Sequence, residues 1–135
     1  MTSIIRETGI ATTPEAAWQA LSDFGALHEL ASGFVTSTKL EDERTRVLTF
    51  FNDATAREAL IGIDGQARRI AWTITDLAGA THHSGSAQIL ADGEDPGHCR
   101  VLWVTDVLPD DLAERLGTMM DAGLAAMKRT LESAA

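Results

Sequence analysis

The sequence predicts an α+β fold in which one antiparallel sheet of about six or seven strands packs against a long C-terminal helix. Between residues 34 and 107, apolar residues alternate with polar ones, and turn-forming residues interrupt the run repeatedly. From residue 110 to about residue 133, apolar residues instead recur at steps of three and four, which indicates a helix. One face of such a sheet must be buried, and only this helix is large enough to cover it. The length predicts a single domain, residues 1–135.

Two short helices are predicted between the first strand and the rest of the sheet. Residues 2–8 are predicted to form that strand. Thr13 can then cap a helix, Pro14 suits its first turn, and Glu15 complements the helix dipole. A second short helix is predicted within residues 23–30, with Asp23 as its cap.

Turn signals divide the central region into strands, and an apolar stripe defines the last helix. Pro109 ends the sheet region, and the helix that follows has Asp110 at its N-terminal end and Arg129 near its C-terminal end, as its dipole favours. The turn signals are Glu41-Asp42-Glu43, Asn52-Asp53, Asp64-Gly65, Ala78-Gly79 and residues 92–97. The stripe consists of Leu112, Leu116, Met119, Gly123, Met127 and Leu131.

Composition excludes several classes of function. The formal net charge of −9 argues against nucleic acid as a partner, because phosphates would be repelled. The single cysteine, Cys99, rules out an internal disulfide and favours a reducing compartment. The N-terminus lacks a cationic start followed by a long apolar run, and no stretch approaches the roughly 20 apolar residues of a membrane span. We therefore expect a cytoplasmic protein without a membrane partner.

A two-residue turn at Ala78-Gly79 predicts which side chains share a face. It would pair Ile74 with His83 and Trp72 with Gly85, and this register places apolar residues on one face and polar residues on the other. Carrying the register to the next strand pairs Ala87 with Trp103 and Gly85 with Thr105. Both indoles then face inward beside small residues, which is compatible either with interdigitation or with a cavity.

The adjacent histidines in THHSGSAQIL cannot act as a pair, since consecutive strand residues point to opposite faces. His83 is predicted to face the core side and His82 the solvent. His83 is then either a buried histidine hydrogen-bonded to a neighbour or a pocket residue that orients a ligand or transfers a proton. No metal site is predicted, because His82, His83, His98 and Cys99 diverge or lie in a distant turn.

Other residues of the predicted inner face have two interpretations as well. Trp72, Trp103 and the pair Met119-Met120 are either core packing or the wall of an apolar pocket. Arg57 would face inward if the Asp64-Gly65 turn is tight, and it would then need an anionic partner from the protein or from a ligand.

The segments TTPEAAWQALSDFGALHEL, THHSGSAQIL and CRVLWVTDVLPDDLAERLGTMMDAGLAAMKRTLE resemble the SRPBCC or START-like superfamily, and more narrowly its bacterial polyketide cyclase/dehydrase-like members. The resemblance covers nearly the whole chain. It implies a helix-grip fold, in which a curved antiparallel sheet wraps around the C-terminal helix and encloses a cavity. The superfamily includes aromatic polyketide cyclases, lipid and hormone binders, quinone-binding proteins and activators of chaperone ATPases, so the fold alone does not select a function.

The resemblance implies a binding function centred on the cavity. We expect a small hydrophobic or aromatic molecule as the partner, with no cofactor and no metal. One alternative is a cyclase or dehydratase with His83 as general acid or base, and another is a protein-interaction module that uses the outer face of the sheet or the acidic surface. A homodimer formed through Leu102 and Val104 of the outer face is also compatible with the sequence. The candidate ligand-binding residues are Phe50, Arg57, Trp72, His83, Trp103, Thr105, Met119 and Met120.

Overall fold

A curved, seven-stranded antiparallel sheet forms the body of the protein, as predicted. The computed structural model describes residues 1–134. Within these residues the strands follow the spatial order β1-β7-β6-β5-β4-β3-β2, so β1 and β2 are the two edges of the sheet. The strands are β1 (Thr2–Ile10), β2 (Val35–Asp42), β3 (Thr45–Phe50), β4 (Thr55–Asp64), β5 (Arg69–Ile74), β6 (His82–Asp92) and β7 (Asp95–Leu108).

The helices also occur in the predicted order. They are α1 (Pro14–Leu21), α2 (Leu27–Leu30), a 3-10 helix (Asp110–Leu112) and α3 (Ala113–Ser133). The Thr13 hydroxyl caps α1 by accepting a hydrogen bond from the Ala16 amide at 3.1 Å. No helix within residues 1–134 combines the length and the apolar character that crossing a membrane requires.

The second helix lies within the predicted range, residues 23–30, but the predicted cap, Asp23, is wrong. It begins at Leu27 rather than near residue 23, and its N-cap position is Ala26, which has no side chain that can cap. Asp23 instead belongs to a turn, in which its backbone carbonyl accepts a hydrogen bond from the Ala26 amide at 3.1 Å. Residues 23–26 therefore connect α1 to a single helical turn.

The predicted strand register is correct, although the predicted turn is not. Trp72 pairs with Gly85, Gly85 with Thr105, and Ala87 with Trp103. The connection between β5 and β6 spans residues 75–81 instead of two residues. Its innermost turn is still closed by a hydrogen bond from the Ala80 amide to the carbonyl of Leu77, so the centre of the hairpin and hence the register are unchanged.

Helix α3 is fastened to the edge strand β1. The Lys128 ammonium donates a hydrogen bond to the Gly9 carbonyl at 2.6 Å, and the Glu132 carboxylate accepts one from the Ala11 amide at 2.9 Å. The helix contacts β1 far more than it contacts β7, whereas α1 packs against β6 and β7, and α2 against β2. Only the side chains of α3, among them Leu124 and Met127, reach the middle of the concave face.

The two inward-facing indoles pack against glycines. A Cβ atom at Gly85 would lie 2.8 Å from ring atoms of Trp72, and one at Gly123 of α3 would lie 2.8 Å from the ring of Trp103. Only glycine permits either approach. The indoles thus interdigitate with the neighbouring backbone, as one of the two predicted arrangements requires.

Edge strand β2 is irregular. Its pairing with β3 shifts register between Val35 and Ser37 and again between Leu40 and Asp42. Such shifts bend a strand and leave residues unpaired. The opposite edge, β1, pairs with β7 without interruption from Thr2 to Ile10.

Gly85→Ala is expected to lower the free energy of unfolding by about 1–3 kcal/mol, because the added methyl group would overlap the Trp72 ring. Gly62→Ala is the matched control: Gly62 also lies in a strand, but no atom lies within 4 Å of a Cβ placed there. Its stability should change by no more than about 0.5 kcal/mol. Urea denaturation followed by circular dichroism measures both values, and equal losses would contradict the proposed packing.

Candidate ligand-binding cavity

A cavity of about 440 Å³ lies between the concave face of the sheet and α3. Its volume falls within the range of about 300–1,000 Å³ that is typical of small-molecule sites. Apolar side chains make up most of its wall. The structure places seven of the predicted site residues around it, namely Phe50, Trp72, His83, Trp103, Thr105, Met119 and Met120.

The alternation of strand residues explains why these side chains converge. Trp103 and Thr105 are two residues apart on β7, so they share its inner face, and His83 of β6 lies diagonally across from Thr105. Phe50 ends β3, where its ring meets that of Phe34 edge to face, with ring centres 5.4 Å apart. His83, Trp103, Thr105 and Phe50 are thus each positioned by a strand.

The cavity opens to solvent where its lining residues become exposed. Asn52 and Ala54 of the β3–β4 loop lie on one side, and Asp76 of the β5–β6 connection lies on another. Arg115, near the start of α3, is the remaining exposed charged residue that lines the opening. The entrance therefore has one acidic and one basic side chain.

The prediction that Arg57 faces inward is wrong. Arg57 lies on the outer face of β4, where its Nε and Nη2 bind the two carboxylate oxygens of Glu41, each at 2.8 Å. The cause is a register shift between Leu60 and Gly62, which reverses the side-chain alternation that the Asp64-Gly65 turn would otherwise impose. Ala56, Glu58 and Leu60 are the inward residues of β4 instead.

The shift brings a buried ion pair into the cavity wall, formed by Arg46 of β3 and Glu58 of β4. The two residues are register partners, and they are only 3% and 7% exposed. Nε and Nη2 of Arg46 bind the same oxygen, Oε1 of Glu58, at 2.9 and 2.8 Å. Nη1 donates to the Phe24 carbonyl at 3.1 Å, and the guanidinium lies over the Phe24 ring, 4.3 Å from its centre. This pair is the main polar feature of the cavity.

The Arg46–Glu58 pair was not identified from the sequence, although the inward position of Arg46 could have been predicted. Phe50 was predicted to face inward, and Arg46 lies four residues earlier on the same strand, so the alternation of β3 places both on one face. A buried arginine requires an anionic partner. Glu58 could not be identified as that partner, because its orientation depends on the register shift in β4.

Burial and ion pairing shift the pKa of Glu58 in opposite directions. Burial raises the pKa of its carboxyl group, and the adjacent Arg46 guanidinium opposes that rise. Arg46 cannot lose its proton in a protein, and among residues 1–134 its only carboxylate contact is Glu58. A protonated Glu58 would leave a buried cation without compensation, so we assign a guanidinium–carboxylate pair of net charge zero.

His83 lies in the cavity wall, and its lowered pKa leaves the imidazole uncharged at neutral pH. Burial is the main cause that lowers its pKa, and the neighbouring His82 acts in the same direction, while Asp76 opposes them. Its Nδ1 is enclosed without a hydrogen-bond partner among the described residues, so the predicted bond to a neighbour does not form at this atom. The indole nitrogen of Trp103 is enclosed and unpaired in the same way.

The two histidines diverge as predicted. Nε2 of His82 lies 3.0 Å from the Ser84 hydroxyl on the outer face, and His98 pairs with Asp95 near the start of β7. Cys99 is buried, and burial raises the pKa of its thiol. Within residues 1–134, no three side chains of His, Cys, Asp or Glu are grouped so that they could hold a metal ion.

Comparison with known proteins finds a family that matches almost the whole chain. The family model described as "Polyketide cyclase / dehydrase and lipid transport" matches residues 1–132. No curated protein is similar enough in sequence to be matched.

Three solved structures illustrate the likeness in fold. The protein XoxI from Bacillus cereus has a TM-score of 0.86 at 22% identity, with 97% of this chain and 96% of that chain covered. A START superfamily protein from Mycobacterium smegmatis has a TM-score of 0.72 at 14% identity, covering 98% and 95%. Norcoclaurine synthase from Thalictrum flavum, in complex with dopamine and hydroxybenzaldehyde, has a TM-score of 0.72 at 17% identity, covering 98% and 85%. Identities this low show a shared fold alone.

Glu58→Leu is expected to lower the free energy of unfolding by about 3–5 kcal/mol, since it leaves Arg46 buried and unpaired. The double variant Arg46→Met/Glu58→Leu should recover most of that loss, because well-packed apolar residues replace buried ion pairs at little or no cost. Urea denaturation of the wild type, both single variants and the double variant measures the coupling. A double variant as unstable as Glu58→Leu would contradict this assignment.

The wild type is expected to lose stability faster on acidification than His83→Gln. Since the pKa of His83 is lowered in the folded state, the unfolded chain takes up the proton first. The contribution of the neutral imidazole is complete above the ordinary histidine pKa of about 6.5 and is lost as the pH falls through the lowered value. Urea denaturation at intervals from about pH 8 to about pH 5 gives the difference between the two proteins. A difference that does not vary with pH would exclude this role for His83.

Proposed function

Because the chain belongs to the polyketide cyclase / dehydrase and lipid transport family, we propose that it binds a small hydrophobic or aromatic molecule between its sheet and α3. The supporting observation is the cavity itself, which has a volume of about 440 Å³ and a mainly apolar wall. Apolar surface of a ligand transferred into such a space is removed from water, and this transfer is the principal driving force for binding.

The wall suits a flat ligand of variable outline. Trp72 and Trp103 supply large rigid apolar surfaces that packing against glycine holds in place. Met119 and Met120 of α3 face the same space, and methionine side chains adapt to irregular shapes because they are unbranched and flexible. Phe50 completes the aromatic part of the wall near the entrance.

A catalytic role for His83 is the second candidate, and the neutral imidazole in the cavity wall favours it. A neutral ring can accept a proton from a ligand and return it, as the general acid or base of a cyclase or dehydratase would. His83→Gln would then abolish the turnover of a poly-β-ketone substrate while leaving its binding intact. Unchanged turnover in this variant would reject the catalytic role.

The proposed location is the cytoplasm. It is supported by the single cysteine, which is buried and unpaired, as is usual for proteins of a reducing compartment.

Ala56→Phe is expected to weaken the binding of 2-naphthol about tenfold or more, because Ala56 lines the cavity and the added ring would occupy part of it. Ala59→Phe is the matched control, since Ala59 lies on the opposite face of the same strand. Isothermal titration calorimetry measures both affinities against that of the wild type. The proposal fails if the wild type binds none of 2-naphthol, naphthalene and 2-naphthoate, or if both variants lose affinity equally.

A further inference from the structure

In the buried ion pair, the second carboxylate oxygen of Glu58, Oε2, is available to accept a hydrogen bond from a ligand. The hydrogen bond from Arg46 Nε and the ion-pair contact of Nη2 both reach Oε1 of Glu58, and Oε2 accepts no hydrogen bond from any described residue. The side-chain atoms that are both fully enclosed and unpaired are His28 Nδ1, His83 Nδ1 and Trp103 Nε1. Oε2 is not one of these enclosed atoms, and Glu58 lines the cavity while it is otherwise buried in the protein, so Oε2 is the oxygen of the pair that a ligand in the cavity can reach.

The charge balance around this oxygen restricts what can bind to it. Arg46 and Glu58 cancel each other's charge, and all three guanidinium nitrogens already contact Glu58 or the Phe24 carbonyl. An anionic ligand would be repelled by the carboxylate, or it would have to displace Glu58 from Arg46. Displacement would leave a buried carboxylate without a partner, which is strongly unfavourable.

A cationic ligand is disfavoured for the opposite reason. Placed against Oε2, it would share one carboxylate with Arg46 and leave a net positive charge in an apolar space. An uncharged hydrogen-bond donor has neither cost, and a bond to a charged acceptor is about twice as strong as a bond between neutral groups. Asp76 and Arg115 at the entrance have opposite charges, so the entrance adds no preference of its own.

We propose that the Arg46–Glu58 pair makes the cavity selective for uncharged ligands that carry a hydroxyl group, with Glu58 Oε2 as the acceptor, and that it excludes carboxylates. This inference rests on the proposed binding function and specifies the chemistry of the ligand. Glu58 acts as the specificity-determining residue, and Arg46 keeps it ionised and fixed in position.

Three ligands with the same fused-ring system test the inference on the wild type. At neutral pH, naphthalene has no polar group, 2-naphthol has an uncharged hydroxyl, and 2-naphthoate has a carboxylate. Calorimetric titration is expected to show that 2-naphthol binds about tenfold or more tightly than naphthalene, the change that one hydrogen bond to a charged acceptor produces. Binding of 2-naphthoate should be the weakest of the three.

Variants that remove the charges of the ion pair provide a second test of the inference. Glu58→Gln removes the carboxylate and leaves Arg46 as an unpaired cation, so the preference should invert and 2-naphthoate should bind more tightly than 2-naphthol. Arg46→Gln/Glu58→Gln removes both charges and should abolish the discrimination against 2-naphthoate. Glu41→Gln, which alters the exposed pair with Arg57 on the outer face, is the matched control and should keep the wild-type order.

The outcomes separate this inference from the proposed function. If the wild type binds naphthalene or 2-naphthoate as tightly as 2-naphthol, the cavity binds ligands but the role of Glu58 is wrong. If it binds none of the three, the proposed function fails and the inference fails with it. The wild-type order requires no substitution, so the test stands even if a charge variant does not fold.

Discussion

The attachment of the C-terminal helix to the first strand determines where the molecule is hollow. Helix α3 is held along β1 by the ion pair between Arg6 and Asp121, at 3.2 Å, and by the bond from Lys128 to the Gly9 backbone. Because the helix follows this edge, several inward side chains of β3 to β6 line a cavity, among them Phe50, Glu58 and His83, while others pack against α1 and α3. The cavity thus results from the position of α3. It does not require small side chains in its wall.

The wall of the cavity combines fixed and adaptable parts. Trp72 is seated on Gly85, and Trp103 on Gly123, so neither ring has room to move toward the backbone behind it. Arg46 is held by hydrogen bonds to two residues and by the face of the Phe24 ring. A polar group positioned in this way does not need to be ordered by the ligand, and such preorganisation reduces the entropic cost of binding. The methionines of α3 provide the flexibility that the strands lack.

The order of elements and most of the register could be predicted because they depend on local, periodic signals. The hairpin centre between Leu77 and Ala80 set the pairing of three strands even though the connection is wider than two residues. The ion pair could not be predicted in full because the shift between Leu60 and Gly62 has no distinct signal in one sequence, and it reverses which residues of β4 face inward. Because of this register shift, Glu58 faces the cavity and Arg57 faces outward.

The irregular strand at the far edge of the sheet affects how copies of the molecule can meet. An open sheet exposes unpaired backbone groups at its edges, and a straight edge is a template for adding a strand from another chain. In β2, two register shifts interrupt that template, and Lys39, Glu41 and Asp42 place charges along it. A strand from another chain could not form a continuous set of backbone hydrogen bonds with this bent, charged edge. At this edge, the sheet can therefore stay open beside an apolar interior without favouring the edge-to-edge pairing of strands that begins fibril growth.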